Sequence, residues 1–127
     1  MHESGLTEDL FTHTMQHARA SNAQRVTRVR VIIGALSDAT PESIRFYFDS
    51  LASGTIAEGA DLEFDRAPGK AHCAACGHNV MIDELFTTCP ECGAYALQVT
   101  SGNDVYLESL EVQLEEVACA LVYPVKS

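Results

Sequence analysis

Apolar residues recur at helical spacing near the start of the chain: Leu6, Leu10, Met15 and Ala18, with Phe11 beside them. This pattern predicts an amphipathic helix over residues 4–20, with Ser4 as its N-cap and the acids Glu8 and Asp9 in its first turns. The period then drops to two. Val29, Val31 and Ile33 share one face and Arg28 and Arg30 the other, which predicts a strand over 26–33, ended by Gly34. Thr40-Pro41 opens a second helix, with Thr40 as N-cap and Pro41 at the first helical position. Ile44, Phe48 and Leu51 form its buried stripe, and Gly54 is its C-cap. Residues 60–66 read as a strand with Leu62 and Phe64 facing one way. Residues 104–114 read as another, whose alternation shifts phase between Val105-Leu107 and Leu110-Val112-Leu114 as at a bulge.

Between the last two strands, Pro68 to about Asn103 differs in character. It carries Gly69, Gly77, Gly93 and Gly102 and four paired cysteines. It reads as a module, 68–103, inserted into a sheet domain made of 1–67 plus 104–127. No repeat occurs beyond the two cysteine pairs.

At 127 residues and 46% hydrophobic content the chain can bury a core. No apolar run approaches the roughly 18 residues that cross a bilayer. Glu3, Glu8 and Asp9 stand where a secretory signal would be basic and apolar, so a cytoplasmic location is expected. The formal charge of −10 repels phosphate backbones and anionic membranes. Basic residues cluster at Arg19, Arg25, Arg28 and Arg30, read as the solvated edge of a strand rather than a nucleic-acid surface.

Of five cysteines, four form the pairs Cys73-Ala74-Ala75-Cys76-Gly77 and Cys89-Pro90-Glu91-Cys92-Gly93. Four thiolates at this spacing suit tetrahedral zinc, and the following glycines let each turn close around the metal. Iron in a rubredoxin-like site is the rival metal. A redox role is weaker, because it needs one such pair beside a strand-helix turn. With every position filled by thiolate, the site reads as structural and supplies on the order of 10 kcal/mol to a module too small for its own core. His72 and His78 flank the first pair, either as exposed or supporting residues or as alternates that exchange with a thiolate. Cys119 reads as a small core or surface residue rather than a fifth ligand.

His2 is too large for ready removal of Met1, so the α-amine of Met1 is expected to stay. That amine, the His2 backbone nitrogen and the His2 imidazole can close adjacent chelate rings, with Glu3 as fourth donor. Nitrogen-rich square-planar sites favour Ni(II) or Cu(II) over zinc. A frayed terminus is the plain alternative. His13 and His17 lie one helical turn apart; they read as a solvated face, with a low-affinity metal pair as the alternative.

Taken together, these features resemble the HypA/HybF family of hydrogenase nickel-incorporation proteins. The resemblance runs through Met1-His2-Glu3, Val31-Ile32-Ile33-Gly34-Ala35-Leu36-Ser37, Thr40-Pro41-Glu42, and Gly54-Thr55-Ile56-Ala57-Glu58-Gly59-Ala60-Asp61-Leu62. It continues through both cysteine pairs and Gly102-Asn103-Asp104-Val105-Tyr106-Leu107-Glu108-Ser109-Leu110-Glu111-Val112. Gly5 departs from it, where the family usually has a larger residue, and so does the apolar tail after Glu115, which would serve docking or self-association.

The resemblance implies an α+β fold, two helices packed on a small mixed sheet as a nickel domain, with an inserted zinc-ribbon module. It implies nickel at Met1, His2 and Glu3, with His2 indispensable, and zinc at Cys73, Cys76, Cys89 and Cys92. The implied role is a metallochaperone, not an enzyme, acting as monomer or homodimer. Its implied partners are a HypB-type maturation GTPase and a [NiFe] hydrogenase large subunit, with urease as a further recipient. The alternative is a zinc-ribbon scaffold that carries no nickel. A nucleic-acid-binding ribbon is disfavoured because Lys70 is the only lysine or arginine between Ala67 and Glu111.

Overall fold

The computed structural model describes residues 3–114 and 120–125, and the side chains of 5–114 and Val125. In chain order it contains α1 (Glu3–Ala20), β1 (Ala23–Gly34), α2 (Pro41–Ala52), β2 (Asp61–Ala67), β3 (Gly69–Cys73), β4 (Asn79–Ile82), β5 (Leu97–Ser101), β6 (Val105–Leu114) and β7 (Ala120–Pro124). The strands form a four-stranded sheet, order β2-β1-β6-β7, and a three-stranded sheet, order β4-β3-β5. Two compact units result. One takes the chain up to Ile32, Ala39–Asp65 and the chain from Tyr106 on; the other takes Ile33–Asp38 and Arg66–Val105.

The first unit is α+β. Helix α1 starts at Glu3, so Ser4 lies inside the first turn and does not cap it. The helix passes through Gly5, where an added Cβ would meet nothing, so the missing side chain leaves the helix intact. Asn22, at φ 58, then turns the chain out of the helix; asparagine tolerates this left-handed conformation. Leu10, Met15 and Ala18 are buried as their spacing requires, and buried Thr14 returns its hydroxyl to the Leu10 carbonyl at 2.8 Å.

In α2 the Thr40 hydroxyl accepts from the Ser43 amide at 3.2 Å, capping a helix whose first turn holds Pro41. The buried face is Ile44, Phe48 and Ala52, while Leu51 is only half-buried. The spacing of four continues from Phe48 to Ala52, so the stripe follows the i+4 row and Leu51 falls to its side. Phe11 meets Phe48 edge to face, ring centroids 5.5 Å apart, and joins the two helices.

Strand β1 begins earlier than its alternation indicates and buries Val26, Val29, Val31, Ile32 and Ile33. Its ion pairs reveal the sheet's sense. Arg28 reaches Asp61 and Glu63, and Arg30 reaches Glu63 and Asp65, so partner numbers rise together as in a parallel pair. Toward β6, Arg28 reaches Glu111 and Arg30 reaches Glu108, the antiparallel order. The sheet is therefore mixed. Arg28 and Arg30 are solvated, as expected from the sequence, although β1 itself lies inside the sheet. Arg19 belongs to the last turn of α1, where a cation complements the helix dipole.

Burial along β6 shifts phase between Leu107 and Leu110, as its sequence indicates. Part of the apolar tail forms a strand. Ala120–Pro124 pairs antiparallel with β6, Leu110 opposite Tyr123 and Val112 opposite Leu121.

In the second unit β3 pairs antiparallel with β4 on one side and with β5 on the other. Three glycines bring backbones into contact. A Cβ on Gly34 would lie 2.1 Å from the Gly102 carbonyl oxygen, and one on Gly102, at φ +99, would lie 2.4 Å from the Gly69 Cα. The Leu36 amide donates to the Gly102 carbonyl at 2.8 Å. Only glycine permits this packing.

Phe48 is fully buried and Phe46 is 70% exposed. Phe48→Ala is expected to lower unfolding free energy by about 3–5 kcal/mol in urea titrations, and Phe46→Ala by about 0.5 kcal/mol or less.

Candidate metal centres

The two cysteine turns are built alike. In the first, the Gly77 amide donates to the Cys73 carbonyl at 2.8 Å and the Cys73 amide to the His78 carbonyl at 2.9 Å. In the second, the Gly93 amide donates to Cys89 at 2.7 Å and the Cys89 amide to Ala94 at 3.0 Å. Gly77 and Gly93 both take left-handed backbone, φ 78 and 76. Amides also point at sulfur: Cys76 N–H to Cys73 Sγ at 3.5 Å, and Glu91 N–H to Cys89 Sγ at 3.4 Å.

The turns face each other. Sγ of Cys73 and Cys92 are 3.6 Å apart, those of Cys76 and Cys89 are 3.8 Å apart, and all four lie within 4.8 Å of one another. Sulfurs about 2.3 Å from a tetrahedral zinc would be about 3.8 Å apart. The four are free thiols, and they fit such an ion. Cys73 and Cys89 are buried, Cys76 is half-buried and Cys92 is exposed.

The metal-free cluster titrates unevenly. The Cys76 amide, with that of Ala75 and the neighbouring thiols, draws Cys73 down to about 6. At Cys76 the His78 amide also lowers the pKa. Burial and crowding by Cys73, Cys89 and Cys92 outweigh it and push the thiol up to about 12. One thiolate is thus cheap and further ones repel it, until a dication compensates them together.

The flanking histidines differ. His78 Nδ1 is 3.3 Å from Cys76 Sγ, within reach to donate to a ligand sulfur. His72 stands opposite Asn79 in the β3–β4 register and its Nδ1 bonds Asn79 Oδ1 at 2.9 Å. The sequence did not single out Leu36, which joins Ala71, Cys73, Val80, Ile82 and Cys89 in a small core around the thiols. Leu36 lies two residues past Gly34, where the predicted strand ends.

Among the other candidates, Met1, His2 and Cys119 lie outside the described residues, and Glu3 opens α1. His13 and His17 do share a side of α1, with Nε2 atoms 3.0 Å apart. Arg28 and Arg30 are engaged by Asp61, Glu63, Asp65, Glu108 and Glu111, not presented as a basic surface.

Fold and site together define a small α+β protein with a zinc-ribbon module built on four cysteines. Residues 1–112 match the family model described as HypA, hydrogenase/urease nickel incorporation, metallochaperone. The hydrogenase maturation factor HypA of Acidithiobacillus ferrooxidans is 39% identical over 113 residues, 89% of this chain and 100% of that one. The hydrogenase maturation factor HypA 2 of Bradyrhizobium diazoefficiens is 42% identical over 112 residues, 88% of this chain and 99% of that one. The solution structure of the Ni metallochaperone HypA from Helicobacter pylori superposes with TM-score 0.70 at 26% identity, covering 91% of this chain and 100% of that one. The chain belongs to the HypA family of nickel metallochaperones for hydrogenase and urease.

Cys73→Ser removes a buried sulfur from the cluster. The variant is expected to lose near-stoichiometric zinc, read by elemental analysis, together with amide protection across β3, β4 and β5, while α1 and α2 keep their protection.

Proposed function

We propose that this protein binds Ni(II) at Met1, His2 and Glu3 and delivers it to the large subunit of a [NiFe] hydrogenase, or to urease, during metallocentre assembly. The carrying observation is the family membership, with a match that begins at residue 1 and so includes the Met-His-Glu start. The donors are the α-amine, the His2 amide nitrogen and imidazole, and a nitrogen or carboxylate oxygen of Glu3. Such a nitrogen-rich set suits square-planar Ni(II).

The start of α1 at Glu3 supports this chemistry. The first amides of a helix have no intrahelical acceptor, so a metal can displace the Glu3 amide proton without breaking a helical hydrogen bond. The positive end of the helix dipole opposes a bare cation there, and deprotonated amides with the Glu3 carboxylate offset it. A terminal chelate can be surrendered donor by donor to an incoming ligand set, as a carrier requires.

Cys73, Cys76, Cys89 and Cys92 are assigned to resident structural zinc. With four sulfur ligands the site has no open position for substrate or water, which fits a carrier rather than an enzyme. On this reading residues 1–67 plus 104–127 are the nickel domain and 68–103 the zinc domain. A HypB-type maturation GTPase and the hydrogenase large subunit are its partners, in the cytoplasm.

Ni(II) titrated into zinc-loaded, untagged protein should bind tightly, with a square-planar absorption band. One extra residue ahead of Met1 converts the amine to an amide and leaves every side chain intact. That variant is expected to lose the band and the tight binding, as is His2→Ala. Equal tight binding in all three proteins would overturn the terminal site. Absence of tight binding in the untagged protein would leave a zinc-ribbon scaffold.

A further inference from the structure

On α1, one turn apart, His13 and His17 bring their Nε2 atoms to 3.0 Å, with ring centroids 4.6 Å apart and ring planes at 59°. Both side chains are half-buried. In the metal-free protein one Nε2–H donates to the other ring. This separation is also a chelate bite. With nitrogens about 2.0–2.1 Å from a metal, donors at a right angle lie about 2.9 Å apart and donors at a tetrahedral angle about 3.3 Å apart. Two imidazoles one helical turn apart can thus both reach one ion, and imidazole suits divalent transition metals, Ni(II) among them.

We propose that His13 and His17 form a second transition-metal site, which holds Ni(II) through the two Nε2 atoms with water completing its coordination. The inference goes beyond the terminal chelate and does not rest on it. His13 lies ten residues along α1 from Glu3, about 15 Å at the helical rise, so no single ion spans both. Among the described residues no third imidazole, thiolate or carboxylate joins the pair at ligand distance. The pair supplies two nitrogen donors, fewer than a chelate of four.

Metal binding requires the bridging proton to leave Nε2. It passes to Nδ1 of the same ring, so two neutral imidazoles become two ligands with no net proton loss. Desolvation and the adjacent His13 lower the pKa of His17, which keeps that ring in its neutral, ligating form.

The test uses the zinc-loaded full chain with one extra residue ahead of Met1, so that the terminal amine is blocked. Calorimetry with Ni(II) should reveal one weaker ion per chain. His13→Gln and His17→Gln should each weaken it by about tenfold or more, since loss of a ligand costs at least what loss of its supporting hydrogen bond does. Zinc content and helicity should stay unchanged. Should a substitution disturb the helix, imidazole nitrogen NMR of the unsubstituted blocked protein gives a second readout. Ni(II) should broaden His13 and His17 first. No nickel uptake by the blocked protein, undiminished uptake in both variants, or broadening confined to His72 and His78 would overturn the proposal.

Discussion

Four sulfurs drawn within 4.8 Å of one another are the constraint on which the second unit turns. Its strands are five, four and five residues long, and the buried apolar side chains clustered with its cysteines are Leu36, Ala71, Val80 and Ile82. So small a core does not offset the chain entropy of ordering the segment. A tetrahedral ion does, by joining two turns that would otherwise crowd thiolates against each other. The contacts among Gly34, Gly69 and Gly102 have the same economy. Where side chains are too few to fill a core, backbones approach directly.

The first unit is held differently. Its buried core includes Ile44 and Phe48 of α2 and Val29, Val31 and Leu110 of the sheet, with Phe11 edge to face against Phe48. Outside the sheet, two arginines of β1 stand among five carboxylates of β2 and β6. Each pair is exposed and adds little alone. As a row, the pairs favour one register on both sides of β1, because a one-residue slip would turn the arginines to the apolar face.

Much of this was legible in the sequence where one signal dominated. Thr40-Pro41 marked the start of α2, Val29-Val31-Ile33 marked the buried face of β1, and the cysteine spacing marked the metal cluster, since four thiols at that spacing serve few other ends. What stayed hidden depended on tertiary partners. The strands of the module are too short to show a period, and Leu36 lies past the predicted strand, where its hydrogen bond to the Gly102 carbonyl ties it to the module. The apolar tail reads as a segment for docking or self-association, and its strand pairing with β6 was not legible. His72 and His78 look alike in sequence. The β3–β4 register places Asn79 across from His72 and leaves His78 beside the Cys76 sulfur.

On the proposed reading two metals are held by different donor chemistry: sulfur for the resident ion, terminal and imidazole nitrogen for the cargo. That separation is the account's central claim. X-ray absorption of the protein loaded with both metals tests it, because each edge reports its own element. The zinc edge should show four sulfurs at about 2.3 Å, and the nickel edge nitrogen and oxygen donors alone. Sulfur around nickel, with zinc displaced into nitrogen or oxygen ligands, would contradict it and make the cysteine cluster the cargo site.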